Sequence, residues 1–92
     1  MTYYNWNVEK NEKLINERGI SFEKAVWCID NGGLVDIIEH PNKKKYPGQK
    51  ILIISIDGYI NRVPYVESDE KIFLKTIIPS RKETKKYLGG KK

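Results

Sequence analysis

Phe22, Ala25, Val26 and Ile29 recur at intervals of three and four residues. That spacing lines them along one face of a helix and predicts a helix over 22–31. Ser21 stands before it as an N-cap, Glu23 suits the positive end of its dipole, and Gly32-Gly33 ends it. Upstream, Asn7 caps a predicted helix over 8–18, which closes on a basic Arg18 and then Gly19.

From residue 34 the period shortens to two. Leu34 to His40 reads as a strand, and 41–48 as a polar loop carrying Lys43-Lys44-Lys45. Lys50 to Ile56 is β-branched and apolar on both faces, as a central strand requires. Asp57-Gly58 is a two-residue hairpin turn into the strand Tyr59–Glu67. Pro64 cannot donate to a ladder, so a bulge or an edge is expected beside it. Ser68-Asp69-Glu70 turns the chain into a last strand, Lys71–Ile78. Its alternation puts Ile72, Leu74, Thr76 and Ile78 toward the helices, and Lys71, Phe73, Lys75 and Ile77 away from them. Ser80-Arg81-Lys82-Glu83 is a capping box, with Glu83 expected to return a bond to the Ser80 N–H. The helix it opens runs to about Leu88 and stops at Gly89-Gly90.

This order describes an α+β domain. Two N-terminal helices pack on a three- to four-stranded antiparallel sheet, and a short basic helix follows. Residues 1–92 make one domain, with 89–92 as a flexible tail. Trp6 and Trp27 are expected in the core, and Cys28 as a small buried hydrophobe.

Charge adds what periodicity does not. The chain carries 17 Lys and Arg against 12 Asp and Glu, a net +5. Residues 81–92 hold six bases and one acid, so the whole excess sits there. A basic end on a neutral body points to an acidic partner: nucleic acid, an acidic protein or a membrane surface. The longest apolar run, Ile51-Leu52-Ile53-Ile54, is too short to span a bilayer, and the first residues lack the features of a secretion signal. A cytoplasmic protein without a membrane partner is expected. One cysteine, Cys28, and one histidine, His40, offer no Cys- or His-based metal cluster, and no cofactor is implied. His40, at a strand end, suits either a structural hydrogen bond or proton transfer. Lys43 to Lys45 reads as a solvated loop. Lysines beside aromatics on an exposed sheet face, next to a basic helix, suit RNA: cations hold phosphates and aromatic rings stack on unpaired bases.

Several segments together resemble the BrnT toxins of type II toxin–antitoxin systems. Trp6-Asn7-Val8-Glu9-Lys10, then Arg18-Gly19-Ile20-Ser21-Phe22-Glu23-Lys24-Ala25, is similar to that family's opening. Ile77-Ile78-Pro79-Ser80-Arg81-Lys82, with Thr84 and Tyr87, is similar to its closing Ile-Ile-Ser-Ala-Arg segment and trailing Tyr. Asp57-Gly58 to Val66 matches its hairpin in length and character. Asn7 stands for the usual Asp, Glu17-Arg18 for Lys-His, Thr76 for an arginine and Pro79 for a serine.

The resemblance implies a RelE-like fold and a ribonuclease that arrests translation without a metal. It also implies a cognate small antitoxin, ribbon-helix-helix in type, and operator DNA bound only through the antitoxin complex. Such enzymes use Lys, Arg, Tyr or Glu where other ribonucleases use histidine. On that basis Arg81 is the first catalytic candidate, followed by His40, Lys75, Arg62, Tyr65 and Glu67. Arg81 sits in the family motif and in the first turn of the basic helix, where a guanidinium suits bidentate phosphate contact. Lys50, Lys82, Lys85, Lys86 and Tyr87 are the RNA-binding candidates. Tyr65 and Glu67 share a strand face, whereas Arg62 points the other way unless Pro64 breaks the register. The competing readings are a non-catalytic RNA- or DNA-binding module and a degenerate toxin-like protein that only binds a partner.

Overall fold

The computed structural model describes residues 3–89. Gly90, Lys91 and Lys92 of the predicted tail lie outside the described residues. The elements are β1 (Tyr3–Trp6), α1 (Val8–Arg18), α2 (Phe22–Asp30), β2 (Leu34–Glu39), β3 (Lys50–Ile56), β4 (Tyr59–Ser68), β5 (Lys71–Leu74), β6 (Ile78–Pro79) and α3 (Arg81–Tyr87). The fold is α+β, with three helices and a mostly antiparallel sheet. No helix is long and apolar enough to cross a membrane among the described residues.

The helix boundaries follow their caps. Asn7 Oδ1 accepts the Lys10 N–H at 2.9 Å, and Gly19 closes α1 at φ 69°, in the left-handed region. Ser21 Oγ accepts the Lys24 N–H at 3.1 Å. Ser80 Oγ accepts the Glu83 N–H at 3.1 Å, but the Ser80 N–H donates to the Ile60 carbonyl at 3.0 Å. The capping box is therefore half formed: the sheet takes the bond expected from Glu83. At the end of α2 the chain passes so close to itself that a Cβ on Gly33 would lie 2.8 Å from the Cys28 carbonyl oxygen. Only glycine fits there.

The sheet runs β1-β5-β4-β3-β2, with β6 also beside β4. β1 pairs parallel to β5 and was not expected, because four residues offer only two inward side chains, Tyr4 and Trp6. The Asp57-Gly58 hairpin forms as predicted, both residues at positive φ (52° and 79°). The predicted last strand is broken in two. Arg62 pairs with Ile78 and Tyr65 with Leu74, so β4 supplies two residues between these pairs and the opposite chain supplies three. The extra residue is accommodated beside Pro64, which accepts the Lys75 N–H at 2.8 Å and has no N–H to return. The irregularity expected at Pro64 falls on its neighbour, and it reverses the alternation. Leu74 and Ile77 are fully buried against the helices, whereas Ile78 is 43% exposed on the other face. The expectation that Ile78 faces the helices and Ile77 faces away from them is thereby corrected. A second one-residue bulge lies in β2 at Val35, between the pairs Leu34–Ile54 and Asp36–Ile53.

The core is two-sided. On the first face Leu14, Phe22, Ala25 and Cys28 of α1 and α2 pack on Leu52, Ile54, Val63 and Tyr65. Trp6 stacks on Phe22 with centroids 5.6 Å apart. Trp27 is not in this core. It lies on the opposite side of α2 from Phe22, Ala25 and Ile29, is 59% exposed, and has the Lys24 ammonium 5.2 Å from its ring. On the second face Ile51, Ile53 and Ile60 form a smaller cluster with Ile38 and Tyr87. α3 therefore folds back on the face opposite α1 and α2.

Candidate functional site

Alternation along β4 sends Asn61, Val63, Tyr65 and Glu67 to the first sheet face, and Ile60, Arg62, Pro64 and Val66 to the second. α3 covers only part of that second face. The Ile60 N–H donates to Thr84 Oγ1 at 2.9 Å, and the Tyr87 hydroxyl donates to Asp36 Oδ2 at 3.0 Å. The helix thus crosses from β4 to β2 and leaves the Arg62 region open.

Arg62 stands in register between Ile53 and Ile78. With His40, Pro41, Ile51, Pro64 and Ile78 it encloses a cavity of about 120 Å³. Its Nε is buried and has no hydrogen-bond partner among the described residues. A buried donor left unmet costs about 1–3 kcal/mol, and an incoming acceptor recovers that cost. Phosphate oxygens match a guanidinium in charge and geometry.

His40 closes another side of the cavity. Its Nδ1 accepts the Asn42 N–H at 3.1 Å and its ring packs on Tyr46, centroids 4.3 Å apart. With Nδ1 accepting, the neutral ring carries its hydrogen on Nε2, so His40 in this arrangement is a hydrogen-bond donor. Lys75 is exposed beside Phe73, its ammonium 5.8 Å from the ring. Arg81 is exposed as the first residue of α3, two positions after β6. Of these four, Arg62 and His40 line one cavity on the second face, whereas Lys75 stands beside Phe73 and Arg81 at the start of α3.

The structure does not bring Tyr65 and Glu67 to them. The β3–β4 register is unbroken from Lys50–Tyr65 to Ile56–Tyr59, so Pro64 leaves Arg62 on the opposite face from both. Tyr65 is only 4% exposed beneath the helices. Burial pushes its phenol pKa up, and the nearby Glu67 and Tyr4 add to this. Glu67 is exposed beyond it, and Lys50 shares the first face at the start of β3. Lys82, Lys85 and Lys86 are exposed on α3. Tyr87 packs on the Ile51, Ile53 and Ile60 cluster and tethers the helix to Asp36, which gives it a structural task. Lys43 pairs with Glu39 at 2.6 Å, lowering the Glu39 pKa and raising its own.

Sequence reasoning named Arg62 but not its orphaned Nε. The signal was available: a two-residue turn at Asp57-Gly58 fixes Arg62 opposite Ile53, between apolar neighbours. Asp36, the partner of Tyr87, gave no signal, because the contact spans 51 residues. No group of three His, Cys, Asp or Glu side chains that could hold a metal ion occurs among the described residues. Comparison with protein-family models, with curated proteins and with solved structures finds no match to this chain.

Proposed function

We propose that this protein is a cytoplasmic, BrnT-like toxin that cleaves RNA on the open half of the second sheet face. The observation that carries the reading is the buried, unpartnered Nε of Arg62 in a cavity shared with His40. In this reading Arg62 and Arg81 hold the scissile phosphate, and His40 Nε2 donates to one of its oxygens. The Lys75 ammonium on that face gives its proton to the leaving 5′-oxygen, while solvent takes the proton of the attacking 2′-hydroxyl. The exposed lysines of α3 hold flanking phosphates. The resemblance in the opening and closing segments supports a small acidic antitoxin as the partner, with operator DNA bound only through the pair.

One observation favours a second reading, a module that binds RNA without cutting it. Tyr65 and Glu67, the other candidates for proton transfer, lie on the wrong face, and His40 presents a donor there. Incubating the protein with RNA, with and without ribosomes, separates the two. Discrete cleavage products that vanish in Arg62→Ala and Arg81→Ala, with both variants folded, support the toxin. Salt-sensitive binding with intact RNA supports the module.

A further inference from the structure

A cleft of about 600 Å³ lies on the other side of the sheet and opens between the α1–α2 turn and the β3–β4 hairpin. Asn61 lines it, whereas its chain neighbour Arg62 faces the opposite way, so the two sites are separated by the thickness of the sheet. We propose that this cleft binds a nucleoside monophosphate unit. The inference stands on residues that the RNA-cleavage reading does not use.

Each part of such a unit meets a matching group. Arg18 Nη1 donates to the Ile77 carbonyl at 2.7 Å, which anchors the guanidinium at the cleft and leaves its other donors for a ligand. Lys24 also lines the cleft and reaches Asp57 only at 3.5 Å, in a pair exposed on both sides. Such a pair is weak and yields to a stronger anion. Arg18 at the end of α1 and Lys24 in the first turn of α2 put two cations on the cleft wall, and these suit a phosphate. Asp57, an acceptor only, suits a ribose hydroxyl. Asn61 is 5% exposed, and its Nδ2 donates to the Tyr59 carbonyl at 3.1 Å. Its amide keeps a second donor hydrogen and an oxygen able to accept, as reading a base edge requires. The Tyr59 ring, 38% exposed, with Ile15 and Ile20 offers apolar surface for a planar base.

A free nucleotide and a nucleotide within single-stranded RNA share this chemistry, and titration of the full chain followed by amide NMR distinguishes them. The probes are the four ribonucleoside 5′-monophosphates, ribose 5-phosphate, adenosine and a short unstructured RNA. Saturable shifts are expected at Gly19, Ser21, Lys24, Tyr59 and Asn61 with at least one monophosphate, and weaker ones with either half-ligand. If the RNA moves the same amides, the occupant is a strand; if only the monophosphate does, it is the free nucleotide. Lys24→Ala and the cleft-filling Ile15→Trp each should weaken binding by about tenfold or more, and Lys71→Ala, outside the cleft, should leave it unchanged. Lys24 is partly exposed, so its variant keeps the test open if Ile15→Trp does not fold. The proposal fails if no nucleotide shifts these amides, if the shifts map to Arg62 and His40, or if a folded Lys24→Ala binds as the parent does.

Discussion

The Asn11 amide oxygen accepts the Phe22 N–H at 2.7 Å, inside the core and across the turn between two helices. The same side chain donates to Glu23 Oε1 at 2.8 Å. Asn11 is 6% exposed and its bond to Phe22 is buried, so water does not replace that bond when it is lost. Asn11→Leu should destabilise the fold by about 1–3 kcal/mol, the cost of stranding a buried backbone donor. Urea denaturation measures it, and an unchanged midpoint would show that the turn does not depend on this bond.

The break beside Pro64 makes adjacent isoleucines unequal. Ile77 is fully buried and Ile78 is 43% exposed. Ile77→Ala should cost about 2–5 kcal/mol, and Ile78→Ala should cost less than about 1 kcal/mol. Equal costs, or the reverse order, would restore the uninterrupted strand.

Arg62 should trade stability for function. Arg62→Leu removes a buried N–H that has no partner, so the variant should be as stable as the parent or about 1 kcal/mol more stable. RNA cleavage by the same variant should fall by at least about a hundredfold, the scale of losing a charge stabiliser. A marked loss of stability with activity retained would make Arg62 a structural residue.

Alkaline pH should weaken the fold through its tyrosines. Burial raises the pKa of Tyr4 and Tyr65 above the ordinary phenol value of about 10, and burial with the Asp36 contact raises that of Tyr87. A raised pKa keeps the neutral phenol favoured in the folded state. Its contribution is therefore complete below about pH 10 and is lost as pH rises through the folded-state value. Tyr65→Phe should shallow the decline of stability above pH 10, because it removes one of these groups. Identical slopes for parent and variant would exclude Tyr65 from the effect.

Local patterns in the chain gave most of the elements. Caps at Asn7, Ser21 and Ser80, and the turn at Asp57-Gly58, act within a few residues, and they stand where the sequence put them. What escaped was set by distant partners. β1 exists because β5 offers it an edge, and Ser80 gives its N–H to Ile60 because α3 returns to the sheet. Trp27 was misjudged for another reason: its size suggested burial, while its position on the helix put it outside. For the site, the residue types Arg62, His40, Lys75 and Arg81 were readable. The face Arg62 takes follows from the unbroken β3–β4 register, and the extra residue beside Pro64 decides the faces of Ile77 and Ile78.

The bulge at Val35 has a consequence for how molecules meet one another. β2 is a free margin of the sheet, and Val35 and Ile37 are 40% and 48% exposed on it. A straight strand of this kind would template another copy, edge to edge, and seed aggregates. The bulge bends that margin out of register, while Asp36 and the Glu39–Lys43 ion pair place charged groups along it. The irregularity that perturbs the ladder inside the molecule is thus also what makes its border a poor template for a neighbour.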